Sequence, residues 1–498
     1  MTGVELMSGW RYRWRVVALA CAVTHVCISQ AAAFDIVNRW TATQIDGNRM
    51  RRGDPVTLRW SVVPDGHSYS RSTDSKLIDF LDDGWGVRST RRTPNYTSRP
   101  WWTVINNAYA QYGRVSGVSL VYVPELTPEG ASTGMFGDIR IGGDFLDGTP
   151  GGALADNTFP DDGDMRIDVT READGSVGSY FNTEPGLRNL VIHETGHGVG
   201  LGHVEFVNNS GKAVMEGGLR TDIWGLQFDD IYALNRQYGD PRERDGGNDT
   251  ANTATMLGAL GTTGTVSIGT DATDSMVEQL DDDWVGIDGT SDLDWYRFQV
   301  SDWCFADIRL TPLGPTYTTV SNGIFNAKAQ SDLTLQLHRG GESIGLMQSV
   351  NGAGLGGTEL ISSQLLPATG DFLVRVRSVQ DLNQFYQLDV TLRELPDVGT
   401  FADLNLDGLT DILDWQVFLT NASVDLAGLA QRETLVRGDL DVDGDNDYDD
   451  FKLFKSAFNL ANGAGAFDQM LAQVPEPQAL VLVGAALSIA WVARGRRV

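Results

Sequence analysis

His193-Glu194-Thr195-Gly196-His197-Gly198-Val199-Gly200-Leu201-Gly202-His203 is the stretch from which the rest of the chain is read. Its pattern is H-E-x-x-H-x-x-G-x-x-H. On a helix, His193 and His197 stand at i and i+4 and project from one face. Glu194 follows the first histidine, where a helix-borne carboxylate reaches a metal-bound water. Gly200 lets the backbone leave the helix in a conformation that other residues resist. That turn returns His203 as a third ligand. Three imidazoles with one open position are the layout of a catalytic zinc, not of a closed structural one. The chain has 6 histidines (His25, His67, His193, His197, His203, His338), and three of them fall in this one segment.

The segment resembles the metzincin zinc peptidases. Metzincins carry a methionine turn beneath the zinc, and Ala213-Val214-Met215-Glu216-Gly217 is placed for it, with Met215 as the candidate. Within metzincins the match is to the matrixin type. Asp138-Ile139-Arg140-Ile141, Asp147 to Ala155, Phe159-Pro160 and Asp164-Met165-Arg166-Ile167-Asp168 follow the matrixin order upstream of the zinc helix. Phe228-Asp229-Asp230-Ile231 and Leu234 to Gly239 resemble its closing helix. The resemblance covers about Val56 to Gly239. It implies an α+β peptidase domain with one catalytic zinc on His193, His197 and His203, and Glu194 as general base.

The chain departs from that pattern in three places. Matrixins hold a second, structural zinc partly through histidines, but Asp156 and Arg166 stand at the matching positions and only His67 is spare before the motif. The expectation is one zinc. Calcium near Asp147 and Asp168 is one reading of that loop, and a solvated acidic loop is the other. The matrixin proline and tyrosine after the methionine are replaced by Glu216-Gly217-Gly218, so substrate preference does not carry over. Gly217 also stands where astacins and serralysins place a tyrosine, which argues against those branches.

With 498 residues, several domains are expected. A formal charge of -28 argues against nucleic acid or an anionic membrane surface as partner. Residues 1–33 read as an export signal: Arg11, Arg13 and Arg15, then an apolar run from Val16 to Ile28, then Ala31-Ala32-Ala33 before Phe34. An uncleaved anchor is the alternative. Cys21 and Cys27 lie inside that signal and leave Cys304 alone in the mature chain, without an intrachain disulfide. Stability then comes from cores and metals. A matrixin-like cysteine-switch prodomain is not expected.

Val56, Leu58, Trp60 and Val62 alternate with polar residues, as in a half-buried strand. Ser98-Arg99-Pro100 signals a helix start, with Trp102, Ile105, Tyr109 and Tyr112 at helical spacing. Ser119 to Val123 and Asp138 to Ile141 read as strands, and Thr183-Glu184-Pro185 opens the zinc helix. The peptidase-like unit is thus 34–239, and polar residues 240–247 read as a linker. Residues 248–394 carry short alternating runs (Trp295 to Val300, Leu333 to Leu337, Phe372 to Val376) punctuated by turn residues, the pattern of an all-β sandwich. Asn248-Asp249-Thr250, Asp292-Leu293-Asp294-Trp295-Tyr296 and Gly370 to Val374 resemble the bacterial prepeptidase C-terminal domain. Such domains accompany secreted peptidases and do no chemistry. Asp292 and Asp294 read as solvated turn carboxylates, with calcium binding as the alternative.

Residues 398–465 hold two acidic repeats in one register. The first offers Asp403, Asn405, Asp407, Asp411 and Asp414 as side-chain ligands, with the Leu409 carbonyl. The second offers Asp439, Asp441, Asp443, Asp447 and Asp450, with the Asp445 carbonyl. Gly408 and Gly444 take the sharp turn of each loop. Short amphipathic runs follow, Trp415 to Leu419 and Phe451 to Phe458. This small α-helical unit resembles a dockerin, which implies about two calcium ions and a cohesin-like partner. The partner face would be Ile412-Leu413 or Tyr448-Asp449, and these differ between the repeats. A calcium-stapled module without a partner is the other reading. Finally, 474–498 carries Val474-Pro475-Glu476-Pro477, an apolar run from Ala479 to Ala493, then Arg494-Gly495-Arg496-Arg497. It resembles a PEP-CTERM sorting signal, which implies a transpeptidase-like sorter and transient membrane anchoring. A simple anchor is the alternative.

The expectation is an exported, envelope-associated or extracellular zinc endopeptidase acting on protein or peptide substrates. The rival is a surface-attached binding or scaffold protein with a degenerate peptidase domain.

Overall fold

A computed structural model describes residues 34–473 apart from 49, 70–73, 89–95, 126–135, 303, 341–343, 367–369, 395–401, 430 and 442. The export signal and the C-terminal sorting segment lie outside the described residues.

The first unit is mixed α/β. Strand β1 (Val56–Val62) buries Val56, Leu58 and Trp60 and leaves Thr57 and Arg59 half-buried, following the period of two. Helix α1 (Leu77–Gly84) and helix α2 (Pro100–Val115) follow. Pro100 opens α2 where its missing N–H costs nothing. Trp101, Ile105, Tyr109 and Tyr112 of α2 are fully buried, whereas Trp102 is half-buried. Strands β2 (Val118–Tyr122), β3 (Ile139–Asp144), β4 (Ala155–Asn157) and β5 (Met165–Asp168) complete a sheet of order β2-β1-β3-β5-β4. Its first four strands run parallel, and β4 is an antiparallel edge. Helix α3 (Glu184–Gly198) packs on α2 and carries the first two histidines. Helix α4 (Phe228–Tyr238) closes the unit, with a capping box between Gln227 and Asp230 and every residue buried.

The second unit is two five-stranded sheets packed face to face. One has the order β14-β13-β16-β9-β6, built from β6 (Thr255–Gly261), β9 (Leu293–Val300), β13 (Leu333–Arg339), β14 (Gly345–Val350) and β16 (Gly370–Ser378). The other has the order β8-β17-β10-β15, with β7 also on β17; its strands are β7 (Gly264–Ile268), β8 (Gly286–Ile287), β10 (Cys304–Pro312), β15 (Glu359–Leu366) and β17 (Gln384–Glu394). Alternate residues of both sheets, among them Tyr296, Phe298, Leu335, Val374, Ile308, Leu388 and Val390, share one core. A separate hairpin, β11 (Thr316–Thr319) and β12 (Gly323–Asn326), leaves this sandwich.

The third unit is helical. Helices α5 (Ile412–Asn421) and α6 (Tyr448–Asn462) each start at the end of an acidic loop and run longer than the amphipathic segments that signal them. Helix α7 (Ala466–Gln473) extends the unit past residue 465. Its core of Phe418, Phe454, Phe458 and Phe467 continues onto Phe305 and Leu365 of the sandwich.

Residues 240–247, polar in sequence, form short 3-10 turns interrupted at Arg244 and Asp245, and Asp240 and Glu243 are buried. The apolar core runs across residue 239. Trp284, Tyr317, Phe325 and Phe385 of the β unit belong to the same apolar cluster as Phe228 and Tyr232 of α4. Helix α4 presents aromatic side chains toward the β unit, which buries them.

Candidate metal centre and acidic clusters

Helix α3 and the turn after it bring His193, His197 and His203 together. His193 Nε2 and His197 Nε2 lie 3.2 and 3.1 Å from His203 Nε2. The other ring nitrogens are engaged: His193 Nδ1 is 2.7 Å from the Val214 carbonyl, and His197 Nδ1 is 2.8 Å from the Leu201 carbonyl. A carbonyl only accepts, so Nδ1 carries the proton in both rings and Nε2 presents a bare lone pair. Two bare lone pairs thus aim at the point where the His203 Nε2 also arrives, and a cation placed there would draw on all three nitrogens. The donor set therefore fits zinc with a position left open. Burial first, then the neighbouring histidines, pushes His193 down to about 4, and burial lowers His197 too. Both effects keep the rings neutral, the form that binds metal.

Glu194 is buried beside them, and burial first, then the Asp156 charge, raises its carboxyl to about 8. Gly200 has φ +99°, and the Asn38 carbonyl occupies the place of a Cβ there. The extended segment from Asp35 to Asn38 pairs with this turn: Val37 N–H donates to the Gly200 carbonyl and Gly202 N–H to the Asp35 carbonyl, each at 2.9 Å. Nothing in the sequence signals that pairing. Met215 is buried beneath the site, and its sulfur fills the space a side chain at Gly196 would need. The turn carrying Met215 is fixed by Asp230, whose carboxylate accepts N–H groups from Val214 at 2.8 Å and Met215 at 3.2 Å.

The three histidines and Glu194 line an open cleft of about 570 Å³. One wall runs through edge strand β4, and the opposite wall is Gly217, Gly218 and Leu219. Glu216 does not face an empty pocket; it pairs with Arg220 at 3.0 Å, and Arg220 also holds Asp222 at 2.8 Å.

Asp156 and Arg166 form an ion pair with each other. Arg166 grips Asp156 through two nitrogens, at 3.0 and 2.5 Å. Asp147 and Asp168 do not converge. Asp147 accepts N–H groups of Thr149 and Ala153 in its own exposed loop, and buried Asp168 accepts from Leu146 and Thr170. This geometry favours the plain acidic loop over a shared calcium.

In the second acidic repeat, Asp439, Asp441 and Asp450 bring one oxygen each within 4.8 Å, as do Asp443, Asp445 and Asp450. Asp447 is the N-cap of α6. In the first repeat the carboxylates turn onto their own loop: Asp403 accepts from Asp407 and Gly408, Asp407 from Leu409 and the Asn405 amide, and Asp411 caps α5. Leu409 is exposed. Asp414 and Asp450 occupy the same place, each accepting three backbone N–H groups.

A further acidic group lies where the first two units meet. Glu243, Asp249 and Asp292 bring one oxygen each within 4.8 Å. Asp292 and Asp294 are not solvated: they are 6% and 0% exposed. The strand begins at Leu293, so Asp294 points inward with Tyr296 and Phe298. Glu243 Oε1, Asp292 Oδ1 and Asp294 Oδ1 are buried without a hydrogen-bond partner. Burial first, then repulsion by neighbouring carboxylates (Asp240 in the case of Asp294), raises all three carboxyls. Buried, unpartnered carboxylate oxygens are costly unless protonated or bound to a cation.

No family model matches the chain, and no curated protein matches it. Among solved structures it is similar to the pre-peptidase C-terminal domain of collagenase from Bacillus anthracis, at 13% identity over 28% of this chain and 96% of that one, with a TM-score of 0.16. It is also similar to PliG of Aeromonas hydrophila, a periplasmic lysozyme inhibitor of g-type lysozyme, at 9% identity over 28% of this chain and 99% of that one, with a TM-score of 0.16. Both likenesses are weak and partial, and no property of the site rests on them.

Proposed function

We propose that this chain is an exported zinc-dependent endopeptidase of matrixin-like metzincin type. The observation that carries the reading is the convergence of the Nε2 atoms of His193, His197 and His203 beside buried Glu194 in an open cleft. Zinc held by His193, His197 and His203 supplies Lewis acidity there, lowering the pKa of water and polarising a carbonyl. Glu194 takes the proton of the attacking water and passes it to the leaving amine. Edge strand β4 offers unpaired backbone groups along one rim, which suits an extended peptide added as a further strand. Glu194→Ala in the full chain tests the reading: zinc stays and peptide hydrolysis goes.

Calcium belongs to the dockerin-like repeats, about two ions by the loop pattern, and to the Glu243, Asp249 and Asp292 group. Support for the latter is the set of buried oxygens that no protein group satisfies. A cohesin-like partner, a sorting enzyme at the C-terminus and residence at the cell envelope rest on the sequence motifs. The sandwich and the helical module hold the peptidase-like unit at its place of action.

A further inference from the structure

His193 and His197 are each oriented by a carbonyl on Nδ1, but His203 Nδ1 has no hydrogen-bond partner among the described residues. The aim of His203 therefore depends on the backbone that carries it. That backbone leads straight into an exposed loop, Glu205 to Ser210, in which Asn208 and Asn209 both have φ +53°. Its own order is a single 3-10 turn, with Ser210 N–H donating to the Val207 carbonyl at 3.0 Å, and two left-handed non-glycine residues in it persist only where neighbouring contacts hold them.

The ordering contacts come from the β unit. Hairpin β11–β12 lies along the loop: Val320 N–H donates to the Glu205 carbonyl at 2.9 Å, and Phe206 bridges to Thr319 in antiparallel fashion. Ser210 Oγ donates to the Thr318 carbonyl at 2.7 Å and accepts from Thr318 N–H at 2.9 Å. The Phe206 ring meets the Tyr317 ring edge-on at 5.5 Å. At the loop's base, Val204 N–H donates to the Met215 carbonyl at 3.0 Å. The hairpin also reaches the far side of the site. Tyr317 O–H donates to Asp229 at 2.5 Å in a fully buried contact. The next residue, Asp230, holds Val214, whose carbonyl orients His193.

We propose that hairpin β11–β12 of the sandwich is a positioning element for the three-histidine site, with Tyr317, Thr318 and Val320 fixing the 205–210 loop and helix α4 so that His203 and His193 meet zinc in the right geometry. The inference rests on the zinc reading above. It makes the sandwich part of the metal centre rather than a passive appendage. The peptidase-like unit then has its full zinc affinity only when the hairpin is docked.

The test uses the full chain and measures zinc affinity by competition with a chromophoric chelator, with the absorption of the cobalt-substituted protein as a second readout. The variants are Ser210→Ala on the exposed loop, Tyr317→Phe, and the two together. Ile324→Ser, on the solvent face of the same hairpin, is the control. The expected result is zinc binding weakened about tenfold in the double variant, an altered cobalt spectrum, and no change in the control. Ser210→Ala keeps the test readable if loss of the buried Tyr317 hydroxyl impairs folding. Wild-type zinc affinity in both Ser210→Ala and the double variant, even with a lowered melting temperature, overturns the proposal and leaves the hairpin merely structural. A wild-type chain that binds no zinc removes the underlying reading, and the proposal with it.

Discussion

Arg166 forms a two-pronged ion pair with Asp156, 2.5 Å at its nearest, on neighbouring strands β5 and β4. The matrixin resemblance would place ligands of a second zinc at these two positions. Arg166 carries its charge at any working pH and cannot ligate, and it occupies the Asp156 carboxylate. The full chain is therefore expected to hold one zinc. Elemental analysis after gel filtration checks this, and a reproducible stoichiometry near two would show that other carboxylates replace the missing histidines. Arg166→Ala should cost about 1 kcal/mol or less, because the pair is partly solvated.

Glu194→Ala should retain zinc, since three imidazoles hold it. Peptide hydrolysis should fall about a hundredfold to ten-thousandfold. His197→Ala should lose both metal and activity, and chelation of the wild type should mimic it. The assay takes unfolded casein and a mixed peptide library. Wild-type cleavage by Glu194→Ala would refute the mechanism, and no cleavage by zinc-loaded wild type on any substrate would favour the scaffold reading.

Calcium should raise helicity in the acidic repeats, because their ligand carboxylates repel one another without metal. Far-ultraviolet circular dichroism of the full chain in calcium and in chelator measures this, and equal spectra count against it. The junction group is separable from the repeats. Glu243→Gln with Asp292→Asn should remove about one calcium from the total and leave the helicity change intact. An unaltered calcium count in that variant would leave the junction without an ion.

Above about pH 6.5, where His193 and His197 are neutral in the folded and the unfolded chain alike, stability of the metal-free protein should fall as pH rises. Burial pushes Asp229 up to about 7 and Asp230 up to about 8, and the junction carboxyls are raised as well. Folded-state values above those of the unfolded chain mean that the folded form keeps protons the unfolded form releases. The stabilisation is whole below about pH 4 and is lost through about pH 8 for these two groups. Calcium should flatten the curve by neutralising the junction. A melting temperature in chelator that stays level or climbs between about pH 6.5 and 8 contradicts this sign.

A chain ending at Gly239 should aggregate or unfold, whereas one ending at Glu394 should remain soluble. The shorter form strips Trp284, Tyr317, Phe325 and Phe385 from the face of α4. Each large side chain re-exposed costs about 1.5–3 kcal/mol, and a few of them rival the whole stability of a domain. A monomeric, cooperatively melting 34–239 fragment would show that the two cores are independent.

The sequence by itself determined the features that depend on local spacing. The i, i+4 histidines, the glycine turn and the register of the two acidic loops are set within a dozen residues each, so they were legible without the fold. The alternation in β1, the proline starts of α2 and α3 and the strand-rich texture of 248–394 were legible for the same reason. Tertiary structure alone decided the rest. Asp292 and Asp294 read as solvated because acids near a turn usually are, but Asp294 shares the inward face of β9 with Tyr296 and Phe298, and Asp292 just before the strand is buried at the junction of the two units. The polar string 240–247 became a folded junction because two units pack around it. Hairpin β11–β12 reaches the loop after His203 across more than a hundred residues, and Tyr317 finds Asp229 across 88. Such contacts follow from which faces the packed units leave open, and that is not written in the spacing of any one segment.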